Sequence, residues 1–269
     1  QDGFTTEGFV DATNELRRRA PGRSYTALVP TQMTRLLDDP EGVAALAAYD
    51  GVLVGGAATT AMVLAAAREA GICMVRTYGM SETAGGCVYD GRALDVSQVQ
   101  LEDDGRILLG GSTLAQGYLD EPALSAEAFV VDDAAGRWFR TDDVGHLDDR
   151  GALIVDGRID DLINTGGLKV APLRVEEALT RLDNVAEAVV VGSPDPEWGQ
   201  IVSAAIVVSH GSSPPTLDEV RGQLRGILPE HALPRRLTIL TAIPLRGPGK
   251  PSRSAVSSTS RCDASRCFP

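Results

Sequence analysis

The sequence predicts an α/β protein: a parallel sheet with helices, a small β subdomain, and then a separate compact α+β domain. Three observations lead there. Between residues 25 and 77 short apolar runs alternate with helical patterns. From 99 to 156 the pattern shortens to alternating segments broken by Asp-Gly and Asp-Arg-Gly turns. Beyond Asp161 helices and strands return in a new order.

Taken in order, an apolar strand is expected over 25–30, a helix over 31–37, and a buried strand over 52–55 that ends in Gly55-Gly56-Ala57-Ala58. A helix over 60–70 follows. The strand over 72–77 then runs straight into Tyr78-Gly79-Met80-Ser81-Glu82-Thr83 and the pair Gly85-Gly86. Strand, helix, strand implies parallel pairing. Ligands of such sheets gather at the carboxyl ends of the strands, so both glycine loops fall on one edge. The turns Asp103-Asp104-Gly105 and Asp149-Arg150-Gly151 mark the antiparallel β subdomain. A helix over 173–182, strands over 186–191 and 201–208, a helix over 217–228 and a strand over 237–240 make the last domain. The predicted division is a large domain over 1–157, a polar hinge over 158–161, a small domain over 162–254 and a disordered tail over 255–269. That tail belongs to a stretch from Ser252 rich in Ser and Arg, without amphipathic pattern. Gln1 opens mid-pattern, short of a full first unit of a doubly wound sheet, so the N-terminal part of a longer protein is expected to be missing.

Composition narrows the chemistry. A net charge of -12 disfavours nucleic acid as a partner, while leaving a local arginine cluster free to hold a small anion. No apolar run is long enough for membrane insertion and no export signal opens the chain, so a cytoplasmic protein is expected. Cys73, Cys87, Cys262 and Cys267 lack zinc-site spacing and read as reduced thiols. His146, His210 and His231 lie in separate polar segments, away from any nucleophile in sequence. The chain has two lysines, Lys169 and Lys250, both in glycine-marked stretches. An ammonium retained in so arginine-biased a chain fits a site where a planar guanidinium would not serve. The composition bias alone would also leave two lysines at random.

Five segments in order carry a family resemblance: Val54-Gly55-Gly56-Ala57-Ala58, Tyr78-Gly79-Met80-Ser81-Glu82-Thr83, Arg140-Thr141-Asp142-Asp143, Gly157-Arg158-Ile159-Asp160-Asp161 and Gly249-Lys250. Together they resemble the core motifs of the adenylate-forming superfamily of acyl-CoA synthetases, adenylation domains and luciferases. The runs from Tyr78 to Gly91, from Ile163 to Pro172 and from Pro194 to Gln200 resemble, within it, the actinobacterial o-succinylbenzoate–CoA ligases of menaquinone biosynthesis. The likeness covers about residues 4–250.

The resemblance implies two half-reactions with ATP, Mg²⁺ and coenzyme A: a carboxylate is adenylated with release of pyrophosphate, then the small domain turns and the thiol displaces AMP. It implies that Lys250 supplies the fixed cation of the first step, that Glu82 helps hold Mg²⁺, and that Ser81 presents a hydroxyl to the phosphate. Tyr78 would cover the adenine, Gly55, Gly56 and Ala57 would lie along its edge, and Gly79 belongs to the same nucleotide-binding set. Asp143 would take the ribose hydroxyls with Arg158 beside it; an ion pair of Arg158 with Asp160 or Asp161 is the ordinary alternative. Asp160 matches the pivot. Lys169, with Gly166-Gly167, matches the loop of the thioester step, although local packing would account for it as well. The aromatic acid is expected near Gly79 and Gly85 to Val88.

Two departures stand out. The family motif usually has Gly where Asp142 stands, and the Ser/Thr/Gly-rich phosphate loop would lie upstream of Gln1. The chain alone is therefore expected to be inactive until an upstream segment is supplied. The alternatives are another aryl- or fatty acyl-CoA ligase, or an inactive fragment serving as a nucleotide-binding module. A homodimer is allowed for.

Overall fold

The computed structural model describes residues 3–20, 22–132, 136–244 and 252–262. The chain divides into two compact units, Gln1–Thr141 with Gly145–Ile154, and Asp142–Val144 with Val155–Pro269.

In the first unit α1 (Thr6–Arg19) precedes β1 (Tyr25–Leu28), α2 (Pro30–Leu37), α3 (Pro40–Leu46), β2 (Gly51–Val54), α4 (Ala61–Glu69) and β3 (Met74–Met80). Two of these helices were not foreseen. In α1 the hydroxyl of Thr5 accepts from Gly8 N at 3.1 Å, and Glu7 opens while Arg17, Arg18 and Arg19 close a helix whose dipole they complement. The helix is strongly polar, and Thr13 is its buried residue, donating to Phe9 O and meeting the Tyr49 hydroxyl at 3.0 Å. α3 starts where Asp39 caps Glu41 N and Gly42 N, with Pro40 at the first helical position.

β1, β2 and β3 pair in parallel, with Leu28 opposite Val54 and Val54 opposite Arg76. Leu28, Met33, Leu36, Leu46, Val52, Val54, Val63 and Ile72 form the core between sheet and helices. Full burial of each such side chain is worth about 1.5–3 kcal/mol. The sheet is mixed rather than purely parallel. After a single 3₁₀ turn, Ser81–Thr83, β4 (Gly85–Tyr89) runs back along β3 and β5 (Arg92–Ala93) along β4.

The expected antiparallel region forms a second sheet of β6 (Ser97–Leu101), β7 (Arg106–Gly111), β8 (Phe129–Asp132), β9 (Gly136–Leu147) and β10 (Leu153–Arg158), with α5 (Pro122–Ala128) before β8. Its order is β10-β9-β7-β6, with β8 on β9. Arg140 joins Glu102 through Nε and Nη2 at 2.8 and 3.0 Å.

The second unit follows a 3₁₀ turn, Ile159–Asp161: β11 (Ile163–Thr165), β12 (Leu168–Val170), α6 (Pro172–Leu179), β13 (Val185–Asp195), β14 (Gly199–Val208), α7 (Leu217–Leu224), β15 (Arg236–Leu240) and α8 (Arg253–Cys262). β13 and β14 form a long hairpin, and β15 lies parallel to β14 on the other side. Strand alternation explains why both faces of this sheet need cover. Val190, Ala204 and Ile206 face α6 and α7, whereas Val189, Val191 and Ala205 pack with Ile243 and Val256.

That second face corrects the reading of the tail as far as Cys262; residues 263–269 lie outside the described residues. Residues 253–262 are helical, and Val256 of α8 is 1% exposed. Ser- and Arg-rich sequence carries little intrinsic helix signal, so tertiary burial supplies what propensity lacks. Among the described residues no helix is long and apolar enough to cross a membrane.

Candidate functional site

The glycine loop after β2 is shaped by its neighbour. The register that sets Val54 against Arg76 brings Gly55 alongside Thr77, where a Cβ would collide with Thr77 Oγ1 and stand 3.0 Å from Thr77 O. Any larger residue pushes the two strand ends apart. Gly55 N donates to Leu28 O at 3.2 Å, which ties the loop to β1 as well. Gly56 and Ala57 beyond it are exposed, leaving their backbone open to a ligand.

On the adjoining strand Tyr78 is half-buried opposite Val88. The register slips between Tyr78 and Gly79, and a Cβ on Gly79 would strike the Gly85 carbonyl. Close packing of β3 on β4 therefore requires the glycine. The turn that follows is held by Thr83, 2% exposed: its Oγ1 accepts from Met80 N at 3.0 Å and donates to Gly85 O at 2.8 Å. Ser81 faces solvent on this turn and Glu82 is half-buried. Cys87 is buried beneath it, and desolvation pushes its thiol up from the ordinary value, so it stands as an un-ionised apolar group. Cys73 and Cys87 are free thiols; Cys262 and Cys267 contribute no described side chain.

Sequence reasoning missed the partner of Glu82. The Tyr118 hydroxyl donates to Glu82 Oε1 at 2.8 Å, and Ala115 N donates to Glu82 O at the same distance. Thirty-six residues separate the two side chains in sequence, so no local spacing signals the contact. The first unit thus gathers Gly55, Gly56, Ala57, Tyr78, Gly79, Ser81 and Glu82 at neighbouring strand ends, with two main-chain loops for a planar ligand and a carboxylate–hydroxyl pair for a polar one.

In the second unit Arg158 Nη2 donates to Asp142 Oδ2 at 3.0 Å, both side chains more than half exposed. The ion pair anticipated with Asp160 or Asp161 is not the one formed. β10 returns beside β9, and strand pairing brings Arg158 to Asp142. Asp143, next along the strand, turns to the opposite face and is half-buried. Asp160 is exposed.

Lys169 is exposed on β12, opposite Asn164 across the hairpin whose turn is Gly166-Gly167. That turn leans on Trp198: Gly166 N donates to Trp198 O at 2.9 Å, and the Arg235 guanidinium stacks 4.1 Å over the indole. Asp195 Oδ1 in turn accepts from Glu197 N and Trp198 N, both at 3.0 Å.

Lys250 lies outside the described residues. The residues flanking its segment do not. Ser252 N donates to Pro244 O at 2.7 Å. Arg253 grips Glu176 through both terminal nitrogens, Nη1 to Oε1 and Nη2 to Oε2 at 3.1 Å, while Nη1 also donates to Val190 O at 2.6 Å. Asp161 Oδ2 stands 3.7 Å from Arg253 Nε. Among the described residues no three His, Cys, Asp or Glu side chains converge as a metal cluster.

Comparison with known proteins identifies the family. The AMP-binding enzyme family matches residues 21–157, and the AMP-binding enzyme C-terminal domain matches 174–250. A probable 2-succinylbenzoate–CoA ligase of Mycobacterium tuberculosis is 46% identical over 249 residues, covering 92% of this chain and 63% of that protein. A 2-succinylbenzoate–CoA ligase of Listeria innocua is 32% identical, covering 87% of this chain and 51% of its own length. The chain therefore spans between half and two thirds of these curated relatives. Among solved structures, an amide bond synthetase from Marinactinospora thermotolerans superposes with a TM-score of 0.82 at 28% identity, covering 96% of this chain and 56% of its own. The o-succinylbenzoate CoA synthetase of Bacillus subtilis, in complex with its acyl-adenylate intermediate, gives 0.74 at 25%, covering 94% and 54%.

Proposed function

The chain belongs to the AMP-binding enzyme family, and we propose that it serves an acid–thiol ligase that activates o-succinylbenzoate with ATP and passes the acyl group to coenzyme A. The 46% identity to a relative named as such a ligase carries the substrate assignment. The neighbouring glycine loop and Tyr78–Glu82 turn support the nucleotide assignment.

In the first step a substrate carboxylate oxygen attacks the α-phosphorus of ATP and the bond to the bridging oxygen breaks, so pyrophosphate leaves. In the second the thiol sulfur of coenzyme A attacks the acyl carbon, its proton is lost, and AMP departs with the carboxyl-derived oxygen. Gly55, Gly56 and Ala57 would lie along the adenine edge and Tyr78 on its face, with Gly79 allowing close approach. Ser81 would donate its hydroxyl to a phosphate oxygen. Asp143 would accept from the ribose hydroxyls, with Arg158 as a donor near the same sugar. Lys250 would place a compact positive charge between two mutually repelling anions, which preorganised cations stabilise as they approach. Asp160 would be the pivot that exchanges Lys250 for the Lys169 loop.

A divalent cation fits Glu82. Mg²⁺ takes one or two carboxylates together with substrate phosphates and water rather than an all-protein cage, and a single half-buried carboxylate answers that need. When bound, Mg²⁺ would neutralise charge on the phosphates, and Glu82 would hold and orient it.

A 4-chlorobenzoate–CoA ligase from Arthrobacter, 41% identical over 136 residues, supports a second reading in which another aryl acid is the substrate. The test is pyrophosphate release from ATP with a panel of carboxylates, using this chain alone and with the upstream segment of the mycobacterial relative added in trans. Release with o-succinylbenzoate first among the acids is expected. Preference for another acid overturns the substrate, and ATP binding without release under both conditions overturns the ligase.

A further inference from the structure

We infer that Tyr118 is the positioning residue for Glu82, holding that carboxylate so that it offers one oxygen to the metal–phosphate site; the inference rests on the ligase reading above. The Tyr118 hydroxyl donates to Glu82 Oε1, and among the described residues Oε2 accepts no hydrogen bond. A glutamate at a turn has three rotatable bonds, and binding must otherwise freeze them. Here the freezing is done beforehand, by a donor that is itself fixed.

That fixing is visible atom by atom. The Tyr118 ring meets Phe129 edge-on at 5.7 Å, and Phe129 packs on Phe139 at 5.0 Å, both of them buried. Tyr118 N donates to Ser125 Oγ at 2.8 Å. The peptide leading to it is gripped by Arg137, whose Nη1 and Nη2 donate to Ala115 O and Gln116 O, each at 2.7 Å. Ala115 N closes the circuit on Glu82 O. Main chain and side chain of Glu82 are thus both tied to one rigid segment.

The consequence is chemical. A carboxylate with one oxygen committed to a phenol binds a cation through the other, as a monodentate ligand. Mg²⁺ and Mn²⁺ accept that within an octahedral shell of phosphates and water, whereas Ca²⁺ takes more oxygens and often a bidentate carboxylate. Tyr118 accordingly sets the site for the smaller ion. Removing a partner that orients a metal ligand costs about ten- to a hundredfold in metal affinity.

The experiment is Mn²⁺ binding to this chain, with the upstream segment of the mycobacterial relative added in trans, in the presence of ATP, read by electron paramagnetic resonance with Ca²⁺ as competitor. Tyr118→Phe keeps the ring on Phe129 and removes the donor. It should weaken Mn²⁺ about tenfold and narrow the preference over Ca²⁺, and adding it to Glu82→Gln should cost nothing more. Tyr118→Phe with unaltered Mn²⁺ affinity, while Glu82→Gln weakens it, overturns the role of Tyr118 and leaves Glu82 standing. If neither variant changes Mn²⁺ binding, or the parent chain holds no Mn²⁺ with ATP, the Glu82 reading falls as well. Should Tyr118→Phe unfold the chain, 3-fluorotyrosine at position 118 retains ring and hydroxyl with a stronger donor; an Mn²⁺ affinity and Ca²⁺ preference identical to the parent's would again overturn the inference.

Discussion

Replacing Arg253 by Met should loosen the whole second unit, although the residue sits in a stretch whose composition suggests no structure. Its guanidinium makes two contacts with Glu176 and a third with Val190 O, and the two side chains are 29% and 12% exposed. Hydrogen bonds to charged groups are worth about 1.5–3 kcal/mol net when shielded from water. Glu176 keeps one donor, Val190 N at 2.8 Å, and partial exposure softens the loss, so about 2 kcal/mol is the expected cost. For a unit of this size that lowers the melting temperature by about 10 °C. The two tryptophans fall one in each unit, so fluorescence of Trp198 in a Trp138→Phe background follows the second unit alone. A cycle of Arg253→Met, Glu176→Gln and both together should give a coupling of about 1 kcal/mol or more, little changed by salt. Coupling indistinguishable from zero would refute the claim that this pair fastens α8 to α6 and β13.

Gly55→Ala should lower ATP affinity about tenfold, because the new Cβ crowds Thr77 at the proposed nucleotide loop. Thr77→Ala removes the atom it strikes, so calorimetry on the double variant should recover part of the loss; no recovery would discredit the steric argument. The Arg140 hydrogen bond holds the Glu102 carboxyl below its usual value of 4.5. A depressed carboxyl stabilises the fold above the unfolded value and loses that contribution as pH falls through the folded one. In urea titrations the advantage of the parent over Arg140→Met should therefore be full above pH 4.5 and shrink in stronger acid. An advantage independent of pH would assign it to packing instead.

The strands and the glycine loops were legible because period and turn chemistry are local. Of the helices missed in the first unit, α1, α3 and α5, the first two differ in cause. α1 buries one threonine under an otherwise charged surface, so its apolar period is faint, and α3 is announced by an Asp-Pro cap too brief to carry a period. The helix in the tail was illegible because its stability comes from Val189, Val191 and Ala205, far away in sequence. The same limit hid Tyr118 behind Glu82, and left the alternative weighed for Arg158 among its sequence neighbours Asp160 and Asp161, whereas strand pairing delivers it to Asp142.

Pro244 and Ser252 are joined main chain to main chain, and the residues numbered 245–251 between them lie outside the described residues. Lengthening a chain between two points so joined is thermodynamically cheap, about 0.6 kcal/mol for each doubling. Neither Ile243 on one side nor Val256 on the other need shift to accommodate it. The architecture would therefore tolerate insertions between these two posts, whereas the role proposed for Lys250, six residues in sequence from one post and two from the other, would not. Selection for a well-built molecule and selection for a working one become separable at this stretch, and a library of loop lengths would score them independently.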